Sequence, residues 1–251
     1  MHYYLYALSL VFGLCLGSFL NVVVWRLPRR ESLVRPASHC PGCGETIRWY
    51  DNVPVVSWLV LQGRCRACGT RISPRYILVE SLTGVAFALA MWRFGAGWPL
   101  LIAWAFIAAM VAIAFIDYDH MIIPSWIVFP GALVGLGASI ALHPQRWWVY
   151  LVAAAGGAAF FFLLVLFWPG GGMGMGDVYM AVFMGAVLGT SVLVAFFTAF
   201  LLGSLLGIYL LLVLKRSRKT KVPFGPFLAV GAVLAVFLGE TILRAYTGLF
   251  G

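Results

Sequence analysis

Seven long apolar segments follow one another along this chain, and they restrict the possible folds more than any other feature. They lie at residues 3–24, 76–92, 98–116, 126–142, 147–168, 178–214 and 224–243. A hydrocarbon core about 30 Å thick is crossed by a helix of about 17–25 apolar residues, so each segment is long enough. The segment 178–214 is too long for one crossing and is predicted to break at Gly189–Ser191. We therefore predict an all-α polytopic membrane protein with about eight transmembrane helices, the sixth being the shortest.

The composition agrees with this class. Hydrophobic residues make up 63% of the chain and charged residues 10%, and the mean hydropathy is +0.99. These values exclude an ordinary soluble domain. The first apolar segment begins almost at Met1 without a small-residue cleavage site, so we expect it to be retained as a membrane span.

The positive charges predict the orientation in the membrane. Of 17 Lys and Arg residues, 14 fall in the segments 25–75 and 215–221, which an eight-span arrangement puts on one side. The positive-inside rule makes that side cytoplasmic and both termini external. The net charge of +9 is then explained by topology, and we expect no nucleic-acid partner.

Two cysteine pairs stand in the polar segment between the first and second spans. Cys40 and Cys43 form one Cys-x-x-Cys motif, Cys65 and Cys68 form another, and 21 residues separate the motifs. Each motif presents two sulfurs to one metal ion, and the spacing is close to that of zinc knuckles. Two disulfides are the alternative, but a cytoplasmic loop is reducing. We predict a small cytoplasmic zinc-knuckle domain with a structural Zn²⁺, since four thiolates leave no open position.

A glycine-rich run at residues 170–177 ends in a carboxylate. Five glycines among its first seven residues allow unusual backbone angles and close approach of another chain. The run places Asp177 at the start of an apolar helix, and Asp117 follows the apolar segment 98–116. Ionisable residues at membrane spans are by default candidates for function. We expect Asp117 and Asp177 to meet on the cytoplasmic side.

Such a pair suits aspartyl hydrolysis, in which an ionised carboxylate takes a proton from water and a protonated carboxyl polarises the scissile carbonyl. An N-cap position would favour the ionised form at Asp177, and Asp117, at the end of a helix, is expected to hold the shared proton. The alternatives are a transporter that uses the aspartates as a proton relay, and two helix-end carboxylates that only contact water or lipid headgroups.

Several motifs occur in an order that resembles one family. They are Gly17-Ser-Phe-Leu-Asn-Val22, Arg26-Leu-Pro28, Asp51-Asn-Val-Pro-Val-Val-Ser-Trp-Leu59, Gly63-Arg-Cys65, Ile72-Ser-Pro-Arg-Tyr76 through Val79-Glu80, Phe115-Ile-Asp-Tyr-Asp-His-Met-Ile-Ile-Pro124, Gly174-Met-Gly-Asp177 and Pro223-Phe-Gly-Pro-Phe-Leu-Ala229. Over nearly its whole length the chain resembles the prepilin peptidases, which are GxGD-type intramembrane aspartic proteases and N-methyltransferases of type IV pilus and type II secretion systems. Ser125 and Tyr179 depart from the family, which commonly has Asp or Asn and Lys at these positions.

The resemblance implies that Asp117 and Asp177 are catalytic, with Gly174 and Gly176 supporting the catalytic loop. It implies removal of the basic leader from type IV prepilins or pseudopilins at the cytoplasmic face of the bacterial inner membrane. It also implies that S-adenosylmethionine methylates the new N-terminal residue, with Glu80 a candidate for the methyl-transfer site. A membrane methyltransferase without peptidase activity is a further alternative.

The same resemblance predicts three parts along the chain. Residues 1–24 are expected to form the first transmembrane helix, 25–75 the cytoplasmic four-cysteine zinc-binding domain associated with methyl transfer, and 76–251 a seven-helix membrane peptidase domain. Pairs of small residues four apart, namely Gly13 with Gly17, Gly131 with Gly135 and Gly203 with Gly207, predict close packing between helices.

Overall fold

A computed structural model of the chain describes residues 3–167, 173–215 and 222–248. Within these residues the chain forms nine α-helices. They are α1 (Tyr3–Arg26), α2 (Val56–Val60), α3 (Arg75–Phe94), α4 (Trp98–His120), α5 (Ser125–Leu142), α6 (Trp147–Phe167), α7 (Met175–Leu188), α8 (Val192–Leu212) and α9 (Gly225–Gly248). Among the described residues, β-structure is limited to isolated bridges. The predicted all-α class is confirmed.

The helices that could cross a membrane coincide with the predicted apolar segments. In the described part of the chain, seven continuous apolar stretches have the length and composition of membrane spans. One of them, Met175–Leu212, is 38 residues long. It is interrupted by a 3₁₀ turn at Gly189–Ser191, where Gly189 has a φ of +55°, so the predicted break is confirmed. With 14 residues, α7 rises about 21 Å and is the shortest of these helices, as expected for the sixth span.

The chain folds as two compact units, Met1–Ala112 and Ile113–Gly251. In the first unit, α1 packs lengthwise against α3. A Cβ at Gly13 would lie 2.8 Å from Gly84 Cα, and one at Gly17 would lie 2.7 Å from Glu80 Cα. Contacts this short require glycine, so the close packing predicted for this pair is confirmed.

Aromatic residues fill the contact between α1, α3 and the first part of α4. The rings of Phe87 and Trp104 stack with their centroids 5.1 Å apart, and Phe12 lies against both. The Trp104 indole N–H donates to the Phe87 carbonyl at 3.1 Å. The indole N–H of this half-buried tryptophan thereby has a partner.

In the second unit, α7 is the helix around which its neighbours pack. It contacts α5, α6 and α9, and α8 packs against α9. On α5, a Cβ at Gly131 would lie 2.7 Å from Phe183 and one at Gly135 would lie 2.5 Å from Val187, so this pair is also confirmed. The third pair is confirmed only in part. A Cβ at Gly203 would lie 3.3 Å from Phe224, but nothing lies within 4 Å of a Cβ at Gly207.

Two predicted features fall partly outside the described residues. The glycines at 170–172 lie there, and so does the basic tract apart from Lys215. The glycine run therefore enters the structure at Met173 and Gly174, immediately before α7.

Candidate active site and metal centre

Asp117 lies in the last turn of α4 and faces the beginning of α9. It is 6% exposed, and its Oδ2 accepts a hydrogen bond from the backbone N–H of Gly225 at 2.9 Å. Gly225 is the first residue of α9. A Cβ at this position would lie 2.6 Å from Asp117 Oδ2, so a residue with a side chain would push the carboxylate away.

Asp177 lies in the first turn of α7 and is also 6% exposed. Its Oδ2 accepts the backbone N–H of Gly174 at 2.9 Å, and its own N–H donates to the Gly174 carbonyl at 3.1 Å. Gly174 is the N-cap residue. Asp177 therefore occupies the third helical position and supplies the side-chain half of a capping box.

This geometry corrects two expectations about the charges. The N-cap is Gly174 and not Asp177. Asp117 does lie near the C-terminal end of its own helix as expected, but the N-terminus of α9 also reaches its carboxylate. Each aspartate accepts one backbone N–H from a helix N-terminus, where negative charge is favoured. The predicted assignment of the shared proton to Asp117 thereby loses its basis.

Three chain segments converge at these carboxylates. After Asp117 the chain turns at Met121, which has a φ of +53° and whose N–H donates to the Asp117 carbonyl at 2.8 Å. Ile123, two residues later, packs on the first turn of α7 so closely that a Cβ at Gly176 would lie 2.9 Å from its Cβ. The helix that carries Asp177, α7, contacts α9, whose first residue donates to Asp117. The end of α4 and the starts of α7 and α9 are thus linked by contacts, with Asp117 and Asp177 both buried at these helix ends.

The four predicted metal ligands form a cluster in the first unit. The sulfurs of Cys40, Cys43, Cys65 and Cys68 all lie within 4.8 Å of one another, and none of them is in a disulfide. The Cys40 and Cys68 sulfurs are 3.8 Å apart. A tetrahedral zinc ion with Zn–S distances of about 2.3 Å requires sulfurs roughly 3.8 Å apart. The residues therefore fit a tetrahedral four-thiolate site.

The two knuckles have the same backbone hydrogen bonds. Gly44 donates to the Cys40 carbonyl at 2.8 Å, and Gly69 donates to the Cys65 carbonyl at 2.9 Å. These glycines have φ values of +74° and +72°. A residue with a side chain rarely adopts such angles, so each turn depends on its glycine.

The pKa values of the thiols differ because of their local hydrogen bonds. The backbone N–H of Gly42, with that of Cys43, holds the pKa of Cys40 below its usual value. The Thr70 hydroxyl, 3.1 Å from the Cys68 sulfur, lowers the pKa of Cys68 to about 6.

At Cys43 the backbone N–H of Glu45 acts to lower the pKa, but the sulfur of Cys68, burial and the other two cysteines raise it to about 12. Without a cation, four neighbouring thiolates repel one another, and a divalent metal would remove that repulsion.

An ion pair joins the second knuckle to the preceding turn at Trp49–Asn52. Arg66, between Cys65 and Cys68, donates from Nε to both oxygens of Asp51 at 3.0 Å and from Nη2 to Oδ1 at 2.6 Å. This two-point contact holds the pKa of Asp51 below its usual range.

Glu80, the candidate for methyl transfer, is buried in α3 within the first unit. Its Oε2 accepts the backbone N–H of Val55 at 2.7 Å, and its carboxyl also interacts with the Ser18 hydroxyl. Glu80 thus connects α1, α3 and the loop before α2.

Most of the chain matches known protein families. Residues 11–94 match the bacterial peptidase A24 N-terminal domain, and residues 104–212 match the type IV leader peptidase family. A prepilin leader peptidase/N-methyltransferase of Pseudomonas putida is 36% identical over an alignment of 276 positions, gaps included. The alignment covers 99% of this chain and 96% of that protein. The chain belongs to the type IV leader peptidase family.

Two other relatives carry the same name. The Bacillus subtilis protein is 34% identical over 237 residues, covering 94% of this chain and 95% of its own length. The Myxococcus xanthus protein is 49% identical over 132 residues, which are 53% of this chain and 39% of that protein. No solved structure matches the chain.

The family matches contain most of the predicted site residues. Asp117 and Asp177 lie in the leader peptidase region. The four cysteines and Glu80 lie in the N-terminal region. Gly225 lies beyond both matched regions, and its contact with Asp117 was not anticipated. The signal in the sequence was Pro226 at the start of the last apolar segment, since proline is frequent at the first positions of a helix.

The two residues that depart from the family, Ser125 and Tyr179, both lie at α5 or in contact with it. Ser125 is the first residue of α5. Tyr179, in α7, packs its ring against Phe129 of α5 with the centroids 5.1 Å apart. Tyr179 thus joins two helices beside the site. Asp119, two residues after Asp117, is exposed.

Proposed function

We propose that this chain is a membrane aspartic endopeptidase that removes the basic leader from type IV prepilins or pseudopilins, and then N-methylates the new N-terminal residue. The observation that carries the peptidase is that Asp117 and Asp177 are both buried in the second unit and that each is hydrogen-bonded to a helix N-terminus. Family membership and the names of the relatives support both activities. They favour this function over a proton-relay transporter and over a methyltransferase without peptidase activity.

In the proposed hydrolysis the two carboxyl groups share one proton. The ionised aspartate accepts a proton from a water molecule, whose oxygen attacks the scissile carbonyl carbon. The protonated aspartate donates to the carbonyl oxygen as negative charge develops there. Collapse of the tetrahedral intermediate breaks the C–N bond, and the leaving amine takes up a proton. The leader then ends in a carboxylate, and the mature protein begins with a free amine.

Three glycines are proposed to hold the two carboxylates in place. Gly174 and Gly225 donate their N–H groups to Asp177 and Asp117. Gly176 permits the close packing of α7 on Ile123. Because acid–base catalysis depends on geometry within hydrogen-bonding reach, a displaced carboxylate would slow cleavage.

The second proposed reaction is methyl transfer from S-adenosylmethionine. The lone pair of the new N-terminal amine attacks the methyl carbon of the sulfonium. The carbon–sulfur bond breaks, its electron pair stays on sulfur to give a neutral thioether, and the amine loses a proton to solvent. The reaction requires a neutral amine, so the protein must bind the chain end in a position where this proton can leave.

The four cysteines are proposed to hold a structural zinc ion in a cytoplasmic domain of residues 25–75, between the first helix at 1–24 and a peptidase domain at 76–251. When bound, zinc would link the two knuckles and neutralise their thiolates. The protein is a multi-pass bacterial membrane protein. We place it in the inner membrane with both termini external, and the large loop and the aspartates on the cytoplasmic side, from the distribution of Lys and Arg.

A reconstituted reaction tests both activities. The purified full-length chain in lipid nanodiscs is incubated with a synthetic prepilin precursor and S-adenosylmethionine, and the products are identified by mass spectrometry. We expect loss of the leader, followed by the mass of one added methyl group on the mature fragment. An uncleaved precursor, with a verified family member cleaving it in parallel, would reject the proposal.

A further inference from the structure

We propose that a groove beside α1 binds the methyl donor, and that Arg26 holds the donor's carboxylate. This inference rests on the proposed methyl transfer. The groove has a volume of about 450 Å³, within the range of about 300–1,000 Å³ that is typical of small-molecule sites. It lies entirely in the first compact unit, between the second half of α1 and the loop segments 33–38 and 52–54.

Arg26, the last residue of α1, contributes a buried positive charge to this groove. It is 8% exposed. Its Nη1 donates to the Ser32 carbonyl at 2.9 Å and its Nη2 to the Pro36 carbonyl at 2.8 Å. No carboxylate in the described part of the chain forms an ion pair with it. Two of the five guanidinium N–H donors are used. A buried charge without a counter-ion is unfavourable, and a bound anion would correct this.

The opposite wall of the groove is a strained turn. Val55 has φ and ψ of +62° and −51°, and the Val56 N–H donates to the Pro54 carbonyl at 2.6 Å. This is a γ-turn of the rare strained kind, centred on a β-branched residue that seldom adopts positive φ. Strained backbone of this sort concentrates at functional sites, where the surroundings maintain it. Pro54 and Asn52, next to the strained residue, line the groove.

Glu80 and Arg66 hold that wall in place. Glu80 accepts the Val55 N–H at 2.7 Å and also interacts with Ser18, another groove residue. On the other side of the turn, Arg66 binds Asp51 with three hydrogen bonds. Glu80 is therefore a positioning residue, since its carboxyl already contacts the Val55 N–H and the Ser18 hydroxyl of α1.

The chemistry of the groove matches a sulfonium methyl donor of the S-adenosylmethionine class. This molecule carries an α-carboxylate, for which a guanidinium is a fitting partner. Its adenine and its sulfonium cation are both bound well by aromatic faces, and Phe19 lines the groove from α1. The groove thus offers the Arg26 guanidinium to the donor's carboxylate and the Phe19 ring to its adenine and sulfonium.

Four variants test the assignment in the full-length protein, with methylation followed against donor concentration and cleavage measured in the same reaction. Arg26→Gln is expected to raise the KM for the donor by roughly tenfold or more, since it removes the charge-assisted hydrogen bonds to the donor's carboxylate. Arg26→Lys is expected to recover part of this loss. Ala37→Phe, which fills the groove from an exposed loop position, is expected to raise the same KM. Arg29→Gln is the matched control, because Arg29 is exposed and stacks on Trp25 outside the groove.

Glu80 is tested separately, since Glu80→Gln keeps an oxygen that can accept the Val55 N–H and Glu80→Ala does not. We expect a near-normal donor KM for the Gln variant and a raised one for the Ala variant.

Calorimetry with S-adenosylhomocysteine measures binding in the groove independently of the methyl-transfer reaction. An unchanged affinity in both Arg26→Gln and Ala37→Phe, with a wild-type protein that binds, would overturn the groove assignment. A wild-type chain that cleaves and binds S-adenosylhomocysteine but never methylates would overturn the proposed second activity.

Discussion

The two aspartates have nearly equivalent surroundings. Both are 6% exposed, and each accepts one backbone N–H at 2.9 Å, Asp117 from Gly225 and Asp177 from Gly174. Both donors belong to helix N-termini, which stabilise negative charge by about 0.3–1 kcal/mol at exposed sites. The hydrogen bonds therefore do not indicate which of the two carboxylates is ionised. We expect the pair to titrate as a unit.

Loss of either carboxylate is expected to abolish cleavage. Asp117→Asn and Asp177→Asn keep the size of the side chain but remove the group that exchanges protons, so we expect cleavage of a prepilin precursor to fall by at least about 10²-fold. Asp119→Asn is the control, as Asp119 is exposed and two residues from Asp117. Membrane insertion, checked by fractionation, should be unchanged. Cleavage near the wild-type rate by either active-site variant would remove that residue from the mechanism.

Gly225 is expected to matter for cleavage although it carries no side chain. In Gly225→Ala the new Cβ would meet Asp117 Oδ2 at 2.6 Å, so the carboxylate must move away from the helix N-terminus. We expect a fall in kcat with a smaller change in KM for the precursor. Gly207→Ala serves as the control because nothing lies within 4 Å of its Cβ position. Equal kcat values for the two variants would show that the Asp117–Gly225 contact does not contribute.

Between helices, glycines set the distance of closest approach. In a membrane, helices associate through close packing because lipid offers no hydrophobic driving force. Gly17 allows α1 to approach Glu80 on α3, and Gly135 allows α5 to approach Val187 on α7. These contacts hold the helices on which the site residues stand.

Gly17→Val is expected to separate α1 from α3 and to destabilise the first unit by about 1–3 kcal/mol, as overpacking does in well-packed cores. The added Cβ alone would lie 2.7 Å from Glu80 Cα. Gly137→Val is matched in chemistry, also lies within a helix, and points into open space. Thermal unfolding in detergent, monitored by cysteine labelling, measures the difference in unfolding midpoint between the two variants. A midpoint for Gly17→Val at or above that of Gly137→Val would contradict the prediction.

Taken as a whole, the molecule carries two chemically distinct centres in two compact units. The cysteine cluster and Glu80 lie in Met1–Ala112, and the paired aspartates lie in Ile113–Gly251. A protein that cleaves a peptide bond and then methylates the product needs both an acid–base site and a donor site. The division of the molecule is consistent with one centre for each reaction.

One zinc ion per chain is expected in the purified protein. The double variant Cys40→Ser with Cys65→Ser should lose it, because two ligands from different knuckles are removed. Cys15→Ser is the control, since Cys15 lies in α1 outside the cluster. Metal analysis and thiol counting measure the outcome. A wild-type protein that contains no zinc and has four freely reactive thiols in the loop would contradict this prediction.

Features that depend on local pattern could be predicted from the sequence. Runs of apolar residues predicted the membrane helices and the break at Gly189–Ser191, because crossing a bilayer requires continuous helix. The repeated Cys-x-x-Cys spacing predicted the sulfur cluster, since each knuckle is a local turn. The prepilin peptidase resemblance rested on short motifs, and the family matches bear it out.

The hydrogen-bond partners of the site residues are fixed by how the folded chain packs. Gly225 donates to Asp117 across 108 residues of sequence, and Glu80 accepts the N–H of Val55 across 25. The expectation that Asp117 holds the shared proton lost its basis for the same reason, since the N-terminus of α9 reaches its carboxylate from another helix. A pattern along the chain reports which face of a helix is apolar. It does not report which helix end lies opposite, because that depends on how all the helices pack.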